Sequence, residues 1–287
     1  MTILTIILVL FIDRVLWHAA PYRQHTWFLD YSRRLQGFSN GILTRHAAAA
    51  LLIVGLPLVL LGWIQLSLLP AFGPLFELLF GGLVLLLALG PFDLGRSVDA
   101  YLQARRREDA GQAAEAASAL GVDLPPAGDT VEQDPAKPVA HAILRAANHA
   151  LIAPLFWFVL FGPVGAMGYR LAQRLRQQLS PQAATPLRDG AGGLAYVFDW
   201  APARLTALGF AVGGNFDAVT AAWKHCSQGG SAACPNDDSL LEAAGMAALE
   251  QSVPRSGHML VQDATALTWR SLTLWVMFFA TASLLSL

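Results

Sequence analysis

The sequence predicts an all-α, polytopic integral membrane protein with re-entrant segments and cytoplasmic helices. Three observations lead there. Hydrophobic residues make up 55% of the 287-residue chain and charged residues only 14%, at a mean hydropathy of +0.47; an ordinary soluble domain carries roughly 25% charge. Uncharged runs recur at the length a bilayer demands. Arginines gather on alternate sides of those runs, as the positive-inside rule requires. The formal net charge of −1 offers no global basic field, so nucleic acid is not an expected partner. Two cysteines are too few for a disulfide scaffold.

Four spans follow, near 1–17, 46–68, 72–91 and 269–287. The runs 47–69 and 271–287 hold no charge, and 71–92 holds only Glu77. The first run, 1–12, reaches span length only by taking in Asp13 and Arg14. Its charge follows the apolar stretch, the reverse of a secretory signal, so it reads as a retained helix. Arg14, Arg23, Arg33, Arg34 and Arg45 place 13–46 in the cytoplasm. Arg96, Arg105, Arg106, Arg107, Lys137 and Arg145 do the same for 93–148, which leaves the hairpin near Pro70 periplasmic. Glu77 falls in the first turn of a helix opened by Pro74, where a carboxylate suits the dipole. Trp17, Trp27, Trp63 and Trp269 lie near span ends and read as interface anchors.

The run 151–169 breaks the zigzag. Arg145 precedes it, and Arg170, Arg174, Arg176 and Arg188 follow it, so a full crossing would leave one cluster on the wrong side. Pro154, Gly162 and Pro163 interrupt it. A re-entrant hairpin over 150–170 resolves the conflict, provided that protein or water covers its broken backbone; a kinked span that violates the charge rule is the alternative. A second re-entrant or partly buried segment is expected at 195–213.

Soluble helices are expected over 94–120 and 214–262. Between 121 and 138, four prolines and Gly128 mark a loop, and a further helix starts near Val139. The triple Arg105–Arg107 reads as a topology anchor, or as a site for anionic lipid or phosphate. His225, Cys226 and Cys234 do not have zinc-ligand spacing. A cytoplasmic position predicts reduced thiols there, whereas a periplasmic loop would allow a Cys226–Cys234 disulfide.

No phosphate-cradling loop, HExxH, GxSxG or CxxC pattern occurs in the sequence. No catalytic or metal-ligating set is assigned, and ATP with magnesium has no motif to hold it. What remains is a set of polar residues beside membrane-depth segments: Arg145, Asn148, His149, Tyr169, Arg170, Asp199 and Arg204. Such groups are expensive in lipid and normally pair or line a site. Asp199 and Arg204 flank Pro202, which reads as a helix start. They form either a pair pinning two segments or part of an anion site with Arg170 and helix N-termini. His149 reads as an interfacial histidine, having no carboxylate near it in sequence to tune it.

Two strings carry more. APLFWFVLFGPVGAMGYRL spans 153–171 and DWAPARLTALGFAVGGNFD spans 199–217. They resemble the AmpE family of bacterial inner-membrane proteins. The likeness extends along the chain through Asp13-Arg14, the paired spans, the Gly-Val-x-x-Pro at 121–125 and the apolar end. That family is similar to cobinamide-phosphate synthase, a membrane enzyme that joins aminopropanol phosphate through an amide bond using ATP. The synthase pattern has an acidic, Asn-containing stretch before APLFW and an Asp pair ahead of PARLT. Here those positions read Arg145-Ala-Ala-Asn148-His149 and Ala195-Tyr196, without a carboxylate. Magnesium and a transferring phosphoryl group need hard oxygen ligands, so the resemblance implies the scaffold without the synthase chemistry. It also implies that both ends of 151–169 face the cytoplasm.

The resemblance therefore implies a multi-pass inner-membrane sensor or regulatory modulator. Its links would be to β-lactamase induction, antibiotic resistance and peptidoglycan recycling. The seven polar residues would form a cytoplasm-facing pocket for an anionic ligand: a nucleotide, a muropeptide or a lipid head group. Expected partners are membrane lipid and the cytosolic anhydromuropeptide amidase AmpD, or another inner-membrane protein. Two other readings stand beside it. One is a diverged ATP-dependent ligase or transferase, taking carboxylates from Asp93, Asp99 or Asp199. The other is a structural subunit that binds an envelope protein.

Overall fold

The computed structural model describes residues 5, 6, 9, 26–38, 47–89, 94–124, 135–179, 185–234, 236–249 and 257–285. Among them every regular element is helical and no strand occurs. In chain order these are α1 (Thr26–Phe38), α2 (Ala49–Trp63), α3 (Leu69–Phe72), α4 (Pro74–Ala88), α5 (Leu94–Arg106) and α6 (Ala110–Ala119). There follow α7 (Ala136–Ala147), α8 (Ala153–Gln178), α9 (Thr185–Gly213), α10 (Phe216–Ala233), α11 (Asp237–Leu249) and α12 (Gly257–Leu285). Two π-helical stretches, Ile64–Leu68 and Asn148–Ile152, connect α2 to α3 and α7 to α8. Most of the expected first span near 1–17, with Asp13, Arg14 and Trp17, lies outside the described residues, as do Asp93 and the loop core at 125–134.

The chain divides into two compact units: residues 1–90 with 153–201, and 91–152 with 202–287. In the first, α2 and α4 each pack on α8. α2 buries Ala49, Ala50, Ile53 and Val54, whose spacing makes one stripe of a helix. With Phe28, Val84, Met167, Leu171, Leu175 and Leu187 they form the core of this unit. The other faces of α2 and α4 stay apolar but exposed: Leu56, Val59, Leu60 and Trp63 on one, Leu75, Phe76, Leu79 and Leu83 on the other. In water each such side chain would forgo roughly 1.5–3 kcal/mol of burial, so this face is suited to lipid. Ala49–Ser67 and Ala136–Gln178 are long and apolar enough to cross a bilayer, and Pro74–Ala88 is a shorter apolar helix. Pro74 opens α4 and Glu77 sits in its first turn, as the sequence predicts.

In the second unit α7 packs along α12 and against α11, α5 against α6, and α10 against α11. Val139, Ala140, Ile143, Leu144 and Ala147 line the buried face of α7. They meet Tyr101, Phe210, Leu241, Val261 and Leu267 in one core. Gly245 of α11 lies so close to Leu144 that a Cβ there would come within 2.6 Å of its methyl groups.

Three expectations need correction. The helix expected over 94–120 is two helices: Glu108 takes a left-handed φ of 57° between them, and the Asp109 carboxylate caps α6 by accepting from the Gln112 N–H at 2.9 Å. Pro202 is inside α9, not at a helix start. Cys226 and Cys234 are not reduced thiols but a disulfide between the body of α10 and the residue just past its end. The expectation of thiols came from a cytoplasmic position assigned by charge, and 216–249 carries only one Lys or Arg, Lys224, to support that assignment.

Candidate functional site

The first unit is built around a reversal of α8. Gly162 leaves the helical path with φ 65° and ψ −152°, a left-handed conformation natural only to glycine. Pro163 then starts a new limb at the position that tolerates a missing N–H. A Cβ on Gly165 would collide with the Trp157 carbonyl oxygen and come within 2.8 Å of the Phe161 Cβ. In an unbroken helix residues 157 and 165 would be about 12 Å apart along the axis. The two limbs, 153–161 and 163–178, therefore fold back on one another. Around the turn, a Cβ on Gly162 would lie 3.2 Å from the Gln65 amide nitrogen, and one on Gly81 about equally near Phe158 and Pro163, at 3.6 and 3.7 Å. Leu160 and Phe161 are exposed at the tip.

The second limb and α9 enclose a buried polar group. The Tyr169 hydroxyl donates to Asp199 Oδ1 at 3.0 Å, and the Gln173 amide donates to Asp199 Oδ2 at 2.5 Å. All three residues are buried. Tyr169 and Gln173 are four apart and so share a helix face. Beside them the Trp157 indole N–H donates to the Phe198 carbonyl at 2.9 Å. Arg170, also buried, donates through Nε to the Ala88 carbonyl at 2.6 Å, a cation set on the last carbonyls of α4.

The second unit holds the other polar group. His141, Arg145 and His149 recur every four residues along α7 and its π-helical extension, and Asp238 and Glu242 do the same on α11. The two stripes meet. Arg145 Nε pairs with Glu242 Oε1 at 3.0 Å, and His141 Nδ1 with Glu242 Oε2 at 3.4 Å. His149 Nε2 lies 2.6 Å from Asp238 Oδ1. From α9, Arg204 Nη1 donates to Asp237 Oδ1 at 2.9 Å. Asn148 is fully buried; its Oδ1 accepts from the Thr206 hydroxyl at 2.9 Å, and its Nδ2 is enclosed without a hydrogen-bond partner.

The seven residues singled out in the sequence thus form two groups. Tyr169, Arg170 and Asp199 belong to the first unit, and Arg145, Asn148, His149 and Arg204 to the second. Asp199 is bonded by Tyr169 and Gln173, Arg204 by Asp237. The carboxylate that the sequence did not offer His149 comes from Asp238, 89 residues away. Gln173, Thr206, Asp237, Asp238 and Glu242 were missed. Signals for the last three existed: Asn236-Asp-Asp-Ser239 is a helix-start signature, with Ser239 N–H donating to Asn236 Oδ1 at 2.8 Å and Asn236 N–H to Ser239 Oγ at 3.2 Å. Four-residue spacing then puts Asp238 and Glu242 on one stripe. Among the described residues no group of three or more His, Cys, Asp or Glu could hold a metal ion.

Comparison with known proteins gives a consistent answer. The profile of the family described as regulatory signalling modulator protein AmpE matches residues 1–231. A cobalamin biosynthesis protein CobD from Stutzerimonas stutzeri is 31% identical over 232 residues, 77% of this chain and 73% of that protein. Protein AmpE from Shigella flexneri is 30% identical over 238 residues, 78% of each. A CobD protein from Chromobacterium violaceum is 27% identical over 209 residues, 71% of this chain and 59% of that one. No solved structure matches the chain.

Proposed function

We propose that this chain, which belongs to the AmpE family, is a multi-pass inner-membrane sensor that binds an anionic ligand and reports it to β-lactamase induction and peptidoglycan recycling. The ligand site we assign is the second unit's group: Arg145, Asn148, His149 and Arg204. One observation carries it. The Asn148 amide nitrogen is fully enclosed and unpartnered, and an orphaned buried donor costs about 1–3 kcal/mol. Asn148 is bonded to Thr206 of α9, while its neighbour His149 and Arg204 of α9 pair with the consecutive Asp238 and Asp237 of α11. An amide N–H, a guanidinium and an imidazole are the kinds of donor that suit a phosphate or carboxylate oxygen. That chemistry covers a nucleotide, a muropeptide or a lipid head group.

Ligand binding would alter how α5 and α6, with Arg105, Arg106 and Arg107, engage a partner. The partner we propose is the cytosolic anhydromuropeptide amidase. The exposed apolar faces of α2 and α4 favour lipid as their surroundings, and the hairpin of α8, with Leu160 and Phe161 at its tip, is suited to re-enter the bilayer without crossing it.

Complementation tests the reading. Cells lacking the chromosomal copy receive the wild type or Arg204→Ala, and β-lactamase is measured after an inducer. The variant should reach the membrane at wild-type level and lose induction. Full induction by Arg204→Ala would remove the site from the proposal. The pair of His149 and Asp238 favours a second reading, a diverged ligase or transferase, because a carboxylate-held imidazole can serve as a base. ATP turnover by purified protein with magnesium, lost in His149→Ala, would move the assignment there.

A further inference from the structure

Three carboxylates of one helix already answer the cations assigned to the anion site. Asp237 takes Arg204, Asp238 takes His149 and Glu242 takes Arg145. All three sit within the first two turns of α11, a 13-residue helix. The profile match ends at residue 231, six residues before α11 begins. The disulfide between Cys226 and Cys234 closes just ahead of it and tethers the start of α11 to α10. The pairs are shaded rather than sealed: side-chain exposure is 30% and 9% for Arg204 and Asp237, and 25% for both His149 and Asp238. Water and small anions therefore reach them.

We infer that α11 is a tethered competitor, an autoinhibitory segment whose carboxylates stand in for the anionic ligand. The inference rests on the anion-site reading above. A carboxylate and a phosphate oxygen offer the same acceptor to a guanidinium or an imidazolium, so a ligand of higher charge takes over the same donors. Ala244, Gly245 and Ala248 keep the body of α11 packed in its unit, so only its first turns, held near by the tether, open to the ligand and return when it leaves. Competition of this kind weakens the apparent affinity by the fraction of molecules in the open state. A sensor would gain a threshold from it, answering only when the anion is abundant.

The experiment uses full-length protein in detergent and inorganic pyrophosphate as the probe. Calorimetry compares wild type with Asp237→Asn/Asp238→Asn/Glu242→Gln and with Arg204→Ala. The triple variant keeps side-chain shape and hydrogen-bonding atoms while removing three charges. Its Kd should fall at least tenfold below wild type. A Kd within twofold of wild type, with binding lost in Arg204→Ala, overturns the competitor and leaves the anion site standing. Equal binding by wild type and Arg204→Ala overturns the anion site itself, and no binding by wild type or triple variant overturns both. Hydrogen exchange on the wild type gives an answer that needs no variant. Saturating pyrophosphate should speed exchange across 237–242, the turns that carry the three carboxylates. Unchanged or slower exchange there would mean that the ligand binds beside α11 without displacing it, and the inference would fall.

Discussion

The carbonyl oxygen of Trp157 lies against the α-carbon of Gly165, eight residues further along the chain, with no room between them for a methyl group. This contact locks the two limbs of α8 together, because a side chain at 165 would meet backbone rather than a movable side chain. Gly165→Ala should therefore cost about 1–3 kcal/mol, the usual penalty of overpacking, toward the upper end. Gly193 of α9 offers the control: nothing lies within 4 Å of a Cβ there. Gly193→Ala should be neutral or stabilise by up to about 1 kcal/mol through helix propensity. Thermal unfolding of both variants in detergent checks the contrast. Equal melting temperatures for the two would mean that the limbs part readily.

Asp199 is the acceptor for both Tyr169 and Gln173 in the first unit. Removing it takes the charged acceptor from two buried donors and leaves Gln173 Nε2 its longer, 3.4 Å bond to the Tyr169 hydroxyl, at a cost of about 1–3 kcal/mol for each lost bond. Asp199→Ala should be the most damaging change in the group, and Tyr169→Phe, which deletes one donor and the weaker, 3.4 Å acceptor of Gln173 Nε2, should cost about 1–2 kcal/mol. Asp199→Asn keeps one acceptor oxygen and should fall between them. Denaturation midpoints of the three variants give the order directly. A harmless Asp199→Ala would show that the carboxylate is kept for ligand rather than for structure.

Much of this was legible in the sequence, and the misses have physical causes. Pro154, Gly162 and Pro163 announced a break in the 151–169 run, and charge on both sides of it argued for a return; the structure places the reversal at Gly162. Glu77 after Pro74 gave the start of α4 correctly. Pro202 misled because a proline marks a helix start only on local grounds, and the packing of Ala203, Ala207 and Phe210 on the second core holds α9 helical through it. His149 looked bare because its carboxylate is 89 residues distant, and spacing reports only neighbours within a helix. Asp199 and Arg204, adjacent across a proline, invited a pair, while the fold assigns each a partner elsewhere.

Cys226 and Cys234 bear on compartment. Charge bias placed their segment in the cytoplasm, where thiols are kept reduced, whereas a bridge persists in an oxidising compartment. Lys224 is the only Lys or Arg in 216–249, so charge alone does not fix the side of this segment. Protein trapped in acid from intact cells should resist a maleimide–polyethylene glycol reagent until dithiothreitol is added, then shift by two adducts. Immediate modification would show that the two thiols are reduced in the cell. Replacing both residues by serine should lower stability by about 2–3 kcal/mol, the loop-closure entropy of so short a ring.

His149 with Asp238 and Arg145 with Glu242 are two pairs between the same helices, and they should differ in strength. The first is the shorter, 2.6 Å against 3.0 Å, and both of its side chains are 25% exposed. Arg145 is 37% exposed, so water screens its pairing with Glu242. Double-mutant cycles on unfolding free energy separate them. His149→Ala with Asp238→Ala should show a coupling of about 1–2 kcal/mol, in the range of hydrogen bonds to charged groups. Arg145→Ala with Glu242→Ala should show less than about 1 kcal/mol, and added salt should erase most of it. If the order were reversed, the hold of α7 on α11 would centre on Glu242, which also meets His141, and a ligand would have to open that end first.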